Sequence, residues 1–204
     1  MEIIKNNLDK EWDYYEMSYN LSLTWDFIKE NLDKRWFWWA ISWHKNITMD
    51  IINDDDNIDE DWDWYNLTKN PNLTWDFIIE NEEFLDPDAW HCISVHKNIT
   101  WDIIKNNLDK PWIWGYEIET PEEYSVASGI SLNPNITWDI IKSNIDKPWF
   151  WPFISKHPNI TMDIIKNNPE YPWDWEKMSD NPNLTIEFIK NNLEKPWNWR
   201  WISY

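Results

Sequence analysis

The chain has 204 residues, of which 42% are hydrophobic, and it carries a net charge of −19 with two glycines and one cysteine. The apolar fraction suffices for a core, and no apolar run reaches the ~18 residues of a membrane span. The acidic charge argues against direct nucleic-acid binding, since phosphates demand Lys and Arg. Two glycines exclude a glycine-rich phosphate loop, and the single Cys92 excludes an internal disulfide.

The N-terminal residues Met1–Lys5 lack the basic and apolar segments of a signal peptide. We therefore predict an intracellular protein that is not secreted and has no membrane partner. The lone cysteine suits a reducing compartment.

A unit of about 24 residues recurs along almost the whole chain. Its marker is a threonine followed by Trp, Met or Ile, an acid and two apolar residues, at Thr24, Thr48, Thr74, Thr100, Thr137, Thr161 and Thr185. Repetition at a period of ~20–50 residues indicates a solenoid or array. The sequence predicts one repeat domain, 1–204, of eight copies: 1–23, 24–47, 48–73, 74–99, 100–136, 137–160, 161–184 and 185–204.

The first helix of each copy is predicted to begin after the threonine. Thr24 is a suitable N-cap, Leu23 and Ile28 form a hydrophobic staple, and Asp26 lies at the positive helix end. We expect the helix to end near an asparagine such as Asn31, because Asn tolerates the left-handed conformation that helix ends often need.

The second helix follows the turn Asp-Lys-Pro-Trp. Asp63 or Asp174 is the predicted N-cap, which places Pro152 of another copy in the first helical turn, where proline is tolerated. Both helices are too short to be stable alone, so neighbouring copies must hold them. The sequence thus predicts an all-α fold, an α-solenoid of about eight 24-residue, two-helix repeats.

Nearly all of the 21 tryptophans fall on three repeat positions, represented by Trp25, Trp36 and Trp38. They are either stacking platforms for sugars or bases, or large rings that fill the space between thin helical layers. The replacement of Trp25 by Met or Ile in other copies favours packing. We predict one largely buried stacked column of Trp38, Trp64, Trp114, Trp151, Trp175 and Trp199.

The histidines and the cysteine do not indicate a metal or catalytic site. His44, His96 and His157 precede the marker threonine by four residues, where other copies carry Asn, and they are predicted to be helix-end residues with positive φ. They are a repeat or more apart, too far to share one zinc ion. Cys92 replaces Ala40 of another copy, which predicts a packed thiol. We predict no enzyme, no cofactor and no metal.

Two segments carry a resemblance to a known group of proteins. The sequence Asn-Pro-Asn-Ile-Thr-Trp-Asp-Ile-Ile-Lys at 133–142 and the sequence Leu-Asp-Lys-Pro-Trp at 108–112 resemble the tandem motif of uncharacterised Trp/Asn-rich repeat proteins of giant amoeba-infecting DNA viruses. The resemblance covers essentially the whole chain outside 117–129. It implies a viral product acting in the host cytoplasm or the virion, and the family offers no catalytic residues to transfer.

The first departure from the repeat is acidic. The third copy contains Asp54, Asp55, Asp56, Asp59 and Glu60, and the fourth contains Glu82 and Glu83. These residues form a solvated acidic face, a docking patch for a basic partner or a cation site. A calcium loop would also need a glycine, which is absent there.

The second departure is an insertion at 117–129. Its residues Thr120-Pro121-Glu122-Glu123 combine an N-cap, a proline at the first helical position and a capping-box glutamate, which predicts a helix ending at Gly129. Insertions in repeat arrays often lie on the binding face, and a neutral insertion that the fold tolerates is the alternative. We therefore add Tyr116, Glu122, Glu123 and Tyr124 to the acidic residues as a candidate partner surface.

The predicted function is a non-enzymatic scaffold for protein–protein interaction, with a basic protein as one expected partner. An acidic mimic of DNA that binds a basic nucleic-acid-binding protein is the alternative, and a carbohydrate-binding solenoid is the third hypothesis. The terminal copies keep apolar residues such as Ile3, Trp12, Trp197 and Ile202. Bare apolar ends predict head-to-tail self-association.

Overall fold

Short helices in pairs make up most of the structure, a computed structural model that describes residues 4, 6–7, 10–54, 61–119, 124–127 and 129–203. The backbone alone is described at 117–119 and 124–127. The chain forms two compact units, an N-terminal unit Met1–Ala89 and a C-terminal unit Trp90–Tyr204. Apart from one β-hairpin, the described elements are helical, as predicted for an all-α chain.

The first helix of each copy begins directly after the marker threonine. These helices are Trp25–Lys29, Met49–Ile52, Trp75–Glu80, Trp101–Asn106, Trp138–Ser143, Met162–Asn167 and Ile186–Lys190. Every marker threonine except Thr24 accepts a hydrogen bond from the backbone N–H three residues later. The hydroxyl satisfies a helix N–H that has no intrahelical partner. The capping prediction is confirmed in those six copies.

The second helices are shorter and begin at the position of Trp38. They are Tyr14–Met17, Trp38–Ser42, Trp64–Leu67, Trp90–Val95, Trp151–Ser155, Trp175–Met178 and Trp199–Ile202. Asp63 and Asp174 cap two of them with side-chain oxygens, as predicted, and Pro152 lies in the first turn of another. Phe37 and Phe150 stand at the N-cap of two others and offer no side-chain acceptor.

The asparagine at the end of the first helix acts differently from the prediction. No described residue other than glycine has positive φ, so the expected left-handed conformation is wrong. Instead, Asn144 donates its side-chain amide to the carbonyl of Ile140 at 2.8 Å, while its own carbonyl accepts the indole N–H of Trp149 at 2.8 Å. The side-chain amide that closes the helix is specific to asparagine, whereas the backbone carbonyl that anchors the following tryptophan would be present in any residue. The same pair of bonds recurs at Asn31, Asn107, Asn168 and Asn192.

A second asparagine joins neighbouring copies. The Asn133 side-chain amide donates to the carbonyls of Ser94, His96 and Ile99 at 2.9, 3.2 and 2.9 Å, and its oxygen accepts the N–H of Asn135 at 2.9 Å. All of these groups are buried or partly buried, where an unpaired carbonyl would cost ~1–3 kcal/mol. The bonds recur at Asn70 and Asn181.

A buried hydroxyl makes a third link between copies. Ser155 accepts the backbone N–H of Asp174 at 2.8 Å, 19 residues later, at the start of the next second helix. Equivalent bonds are accepted by Ser18, Ser42, Ser94, Ser131 and Ser179. In five of these six bonds the donor is the N-cap residue of a second helix, so those helices are positioned by a serine of the preceding copy; Ile113, which bonds to Ser94, instead precedes the hairpin.

The tryptophans pack between copies, although not as the single column we predicted. Trp38, Trp64, Trp114, Trp151 and Trp175 are half-buried, and Trp199 is 52% exposed. Trp38 meets the next copy's Trp62 edge-on at 5.1 Å, and Trp151 meets Trp173 in the same way at 5.2 Å. Aromatic pairs in general favour such an edge-to-face arrangement over direct face-to-face stacking. The most buried tryptophan is Trp90, at the position of Trp38, and it is followed by Trp36 and its equivalents Trp62, Trp112, Trp149, Trp173 and Trp197.

The first residue of each first helix covaries with the third residue of the first helix in the next copy. Met49 is followed by Phe77 and Met162 by Phe188, whereas Trp25, Trp75, Trp101 and Trp138 are each followed by Ile, at 51, 103, 140 and 164. In the two methionine cases the intervening ring stacks on the phenylalanine, Trp64 on Phe77 at 6.1 Å and Trp175 on Phe188 at 6.0 Å. The phenylalanine therefore compensates for the missing indole and conserves core volume.

We expect this compensation to appear as coupling between two substitutions. Met162→Trp should overpack the C-terminal unit and lower the free energy of unfolding by ~1–3 kcal/mol. Phe188→Ile should leave space and cost ~1–2 kcal/mol. The double variant, which restores the Trp/Ile combination, should recover at least about 1 kcal/mol relative to additivity. Urea unfolding of the four proteins measures this, and strict additivity would disprove the compensation.

The insertion is a β-hairpin, so the predicted helix from Thr120 to Gly129 is wrong. Strands Tyr116–Glu119 and Tyr124–Ala127 pair antiparallel, with Tyr116 opposite Ala127 and Glu119 opposite Tyr124. Residues 120–123 lie outside the described residues. The two-residue alternation in Tyr-Glu-Ile-Glu and Tyr-Ser-Val-Ala is typical of strands, and it overrides the local capping signal.

The hairpin interrupts the second helix of the fifth copy. After it, Ile130 donates its N–H to the Ile113 carbonyl at 2.7 Å, and a single 3-10 turn, Ile130–Leu132, replaces the helix. At this junction a Cβ on Gly129 would lie 2.2 Å from the Ile113 oxygen. Gly115 has φ 115°, which favours glycine. The two glycines of the chain are therefore required where the hairpin leaves and rejoins the repeat.

Among the described residues, no helix has both the length and the apolar character needed to cross a membrane.

Candidate functional site

The acidic departures of the third and fourth copies lie next to each other in the N-terminal unit. Asn53 donates its side-chain amide to the Glu80 carboxylate at 3.2 Å, which joins the ends of two successive first helices. Asp54 and Glu83 are exposed and Glu82 is half-buried. The structure thus brings together these three predicted residues. The other four, Asp55, Asp56, Asp59 and Glu60, lie outside the described residues.

Of the remaining predicted residues, Tyr116 and Tyr124 belong to the hairpin of the C-terminal unit. Tyr116 is exposed at the start of the first strand, and Tyr124 starts the second strand opposite Glu119. Glu122 and Glu123 lie outside the described residues. The described residues of the predicted partner surface therefore fall into two groups, one in each unit.

The acids that would form a DNA-like row are exposed in the first turns of first helices. Asp26, Asp50 and Asp76 belong to the N-terminal unit, and Asp102 and Asp139 to the C-terminal unit. Lys105 pairs with Asp102 at 2.6 Å in the same helix. A cation within the acidic row weakens the resemblance to a phosphate backbone.

The buried histidines play the structural role that asparagine plays in other copies. His157 donates Nε2–H to the Asn133 carbonyl at 3.0 Å, and its Nδ1 accepts the backbone N–H of Asn159 at 3.0 Å. These partners assign the neutral tautomer with hydrogen on Nε2. The predicted positive φ is wrong for these residues. Within the described residues, no three His, Cys, Asp or Glu side chains gather as a metal site requires.

We expect His157 to make stability depend on pH. Burial lowers the pKa of His157 below its ordinary value, and the bond to the Asn133 carbonyl opposes this only in part. Below about pH 6.5 this histidine binds a proton in the unfolded chain but stays neutral in the folded chain. The free energy of unfolding therefore falls, by up to about 1.4 kcal/mol per pH unit. Above that pH the effect vanishes. Burial also lowers the pKa of His44, which makes equivalent contacts.

The variant His157→Asn isolates this effect, because asparagine makes the equivalent bonds at Asn133 and Asn181. Its stability should match the wild type near pH 8 and exceed it near pH 5, as measured by urea unfolding. Parallel pH profiles for the two proteins would contradict the prediction.

The most distinctive surface was not predicted from the sequence. Five aromatic side chains lie in, or within two residues of, the helices Tyr14–Met17 and Trp38–Ser42. They form a continuous row, which we call the aromatic row: Tyr19, Tyr15, Phe37, Trp39 and Trp43. Successive ring centroids are 6.4, 4.4, 5.5 and 5.8 Å apart. Four of the rings are 39–44% exposed, and Phe37, in the middle, is half-buried.

Two positions of the row, those of Trp39 and Trp43, do not need tryptophan for folding, although the third copy also has an aromatic residue, Tyr65, at the position of Trp39. At the position of Trp39, later copies carry residues such as Glu176 and Arg200, and at that of Trp43 they carry Lys69 and Lys156. Trp39, Trp43 and Trp201 are the tryptophans outside the three repeat positions. These exceptions to the repeat are the signal that could have identified the row from sequence.

A depression of about 600 Å³ adjoins the row at Tyr15. Its lining consists of Glu11, Trp12, Asp13, Tyr14, Tyr15 and Arg35. Glu11 and Asp13 are exposed, as is Glu16 in the first turn of the helix Tyr14–Met17. The surface therefore combines an apolar strip with carboxylates at one end.

A cleft of about 730 Å³ in the C-terminal unit bears on the carbohydrate hypothesis. It is lined in part by Trp175, Phe188, Asn183 and Asn192. Trp175 and Phe188 stack on each other, and both asparagine amides donate to backbone carbonyls. These ring faces and amides are therefore engaged within the protein.

Comparison of the chain with known protein families, with characterised proteins and with solved structures finds no match. The interpretation of function therefore depends on the geometry of this chain.

Proposed function

We propose that the chain is an α-solenoid of about eight copies that acts as a non-enzymatic scaffold and binds another protein. The aromatic row carries this proposal. Exposed, contiguous aromatic side chains are enriched in protein interfaces and uncommon on monomer surfaces. Trp39 and Trp43 stand at positions where several other copies have charged residues, so the fold does not require tryptophan there.

The charge pattern supports a basic partner. The net charge is −19, and Asp54, Glu82 and Glu83 lie on the same N-terminal unit as the row. The negative electrostatic field of these charges raises the rate of association with a cationic protein, and this effect weakens as the salt concentration increases. The viral origin, with action in the host cytoplasm or virion, is part of the proposal and depends on the sequence resemblance alone.

The test compares partner capture by the wild-type chain and by the double variant Trp39→Glu, Trp43→Lys. Each substitution introduces a residue found at the same position of another copy, and the net charge is unchanged. Proteins cross-linked in cells that make the chain are identified by mass spectrometry. A partner lost with the variant and retained with Ile79→Lys, which removes an exposed apolar residue elsewhere, supports the proposal. Equal capture by all three proteins contradicts it.

Self-association is a second candidate, favoured by the last copy. Ile186 is 72% exposed, whereas Trp138 and Met162 at the same repeat position are buried; Trp199 is 52% exposed, whereas Trp151 and Trp175 at its position are half-buried. A second molecule of this chain could cover the same face. Light scattering at low and high salt tests this, because salt screens the repulsion between acidic chains. A monomer at every salt concentration would contradict self-association.

A further inference from the structure

We infer that the aromatic row binds a proline-rich segment of a partner protein, in the polyproline II conformation and with a basic residue beside the prolines. This inference rests on the proposed protein-binding function and names the chemistry of the partner.

The packing of the row favours an extended peptide over a flat ligand. Phe37 lies between Tyr15 and Trp39, at 4.4 and 5.5 Å with interplanar angles of 22° and 19°. Phe37 is thus stacked on two nearly parallel rings and is half-buried, which leaves it little open face for a flat ligand. A sugar or nucleobase stacks on an open ring face, whereas a peptide can lie along a ridge of ring edges.

The polar groups of the row match a polyproline backbone. No hydrogen bond among the described residues uses the indole N–H of Trp39 or Trp43, in contrast to Trp36, whose indole donates to the Asn31 carbonyl. At the other end the Tyr15 and Tyr19 hydroxyls hydrogen-bond to each other, so one O–H of the pair is left as a further donor. A polyproline II segment has solvated carbonyls and, at proline, no N–H. A ridge that is apolar and rich in donors is complementary to it, as in other aromatic-lined grooves that bind such segments.

The spacing of the rings indicates how long the bound segment is, and the acidic residues at one end of the row indicate that the segment is positively charged. Tyr15 and Tyr19 both contact Phe37, at 4.4 and 5.6 Å, and Trp39 and Trp43 follow at 5.5 and 5.8 Å. The row is therefore three ring-to-ring steps long and accommodates on the order of five residues at ~3.1 Å per residue. At the Tyr15 end, Glu11, Asp13 and Glu16 outnumber Arg35. A lysine or arginine next to the prolines would be stabilised there.

The first experiment uses the full chain and a synthetic peptide of seven prolines with two arginines at each end. Isothermal titration calorimetry should detect binding at peptide concentrations up to about 1 mM. The double variant Trp39→Glu, Trp43→Lys should bind at least tenfold more weakly, while its melting temperature stays unchanged. Ile79→Lys should bind like the wild type. Absence of wild-type binding, or equal binding by the double variant, would overturn the inference.

A second arm tests the acidic end. The variant Glu11→Gln, Asp13→Asn keeps a side-chain cap on the helix that starts at Tyr14. It should reduce affinity for the arginine peptide to that for a peptide with glutamines in place of the arginines. Equal affinity of both proteins for the arginine peptide would overturn the charge component.

Two further outcomes separate this inference from the proposed function. Binding of a linear β-glucose hexamer that disappears in the double variant would overturn the peptide inference in favour of a sugar. Partner capture that depends on Trp39 and Trp43 without any binding of the proline peptide would overturn the peptide inference and leave the protein-binding function standing.

Discussion

Asn133→Ala should lower the free energy of unfolding by ~3–5 kcal/mol, because several buried groups lose their partner together. Its amide satisfies the carbonyls of Ser94, His96 and Ile99, and its oxygen satisfies the N–H of Asn135. Asn133 itself is fully buried. Urea unfolding followed by tryptophan fluorescence gives the change, and circular dichroism shows whether the helices remain.

Asn133→His is the matched control. His44 and His157 fill the equivalent position in other copies, where Nδ1 accepts a backbone N–H and Nε2 donates to a carbonyl of the preceding copy. Histidine should therefore restore part of the stability that alanine removes, with one donor replacing several bonds. If alanine cost less than about 1 kcal/mol, the proposed link between copies would be wrong.

Local signals in the sequence predicted the helix starts well. The threonine and aspartate caps act within three residues of themselves, so their geometry follows from the helix that they begin. The asparagines were misinterpreted for the opposite reason. Asn133 bonds to residues 34–39 positions earlier, and a single-copy argument about backbone φ could not include such partners.

The insertion and the aromatic row escaped prediction for different physical reasons. Thr120 and Glu123 carry a genuine capping pattern, but the pairing of Tyr116–Glu119 with Tyr124–Ala127 is decided between strands rather than within one turn. The aromatic row was not predicted because nearly all tryptophans fall on three repeat positions, and tryptophan was therefore interpreted as a packing residue. Only the positions of Trp39 and Trp43, outside that rule, distinguish surface rings from core rings.

Trp173→Ala should cost ~3–5 kcal/mol, as other large-to-small substitutions of buried aromatic residues do. The ring is buried, contacts Trp151 edge-on at 5.2 Å and Trp138 at 5.4 Å, and donates its indole N–H to the Asn168 carbonyl at 2.8 Å. The substitution therefore leaves a cavity between two copies and an unpaired carbonyl. Trp173→Phe should cost less, since a ring still fills most of the space.

Two tryptophans of the same unit provide the comparison. Trp175 is half-buried against Phe188, and Trp199 is 52% exposed. If burial between copies decides the cost, alanine substitutions should rank in the order Trp173, Trp175, Trp199, with Trp199→Ala within about 1 kcal/mol of the wild type. Urea unfolding of the three variants gives the ranking. A cost at Trp199 equal to that at Trp173 would mean that another molecule covers the last copy, and dilution should then reduce the cost at Trp199 alone.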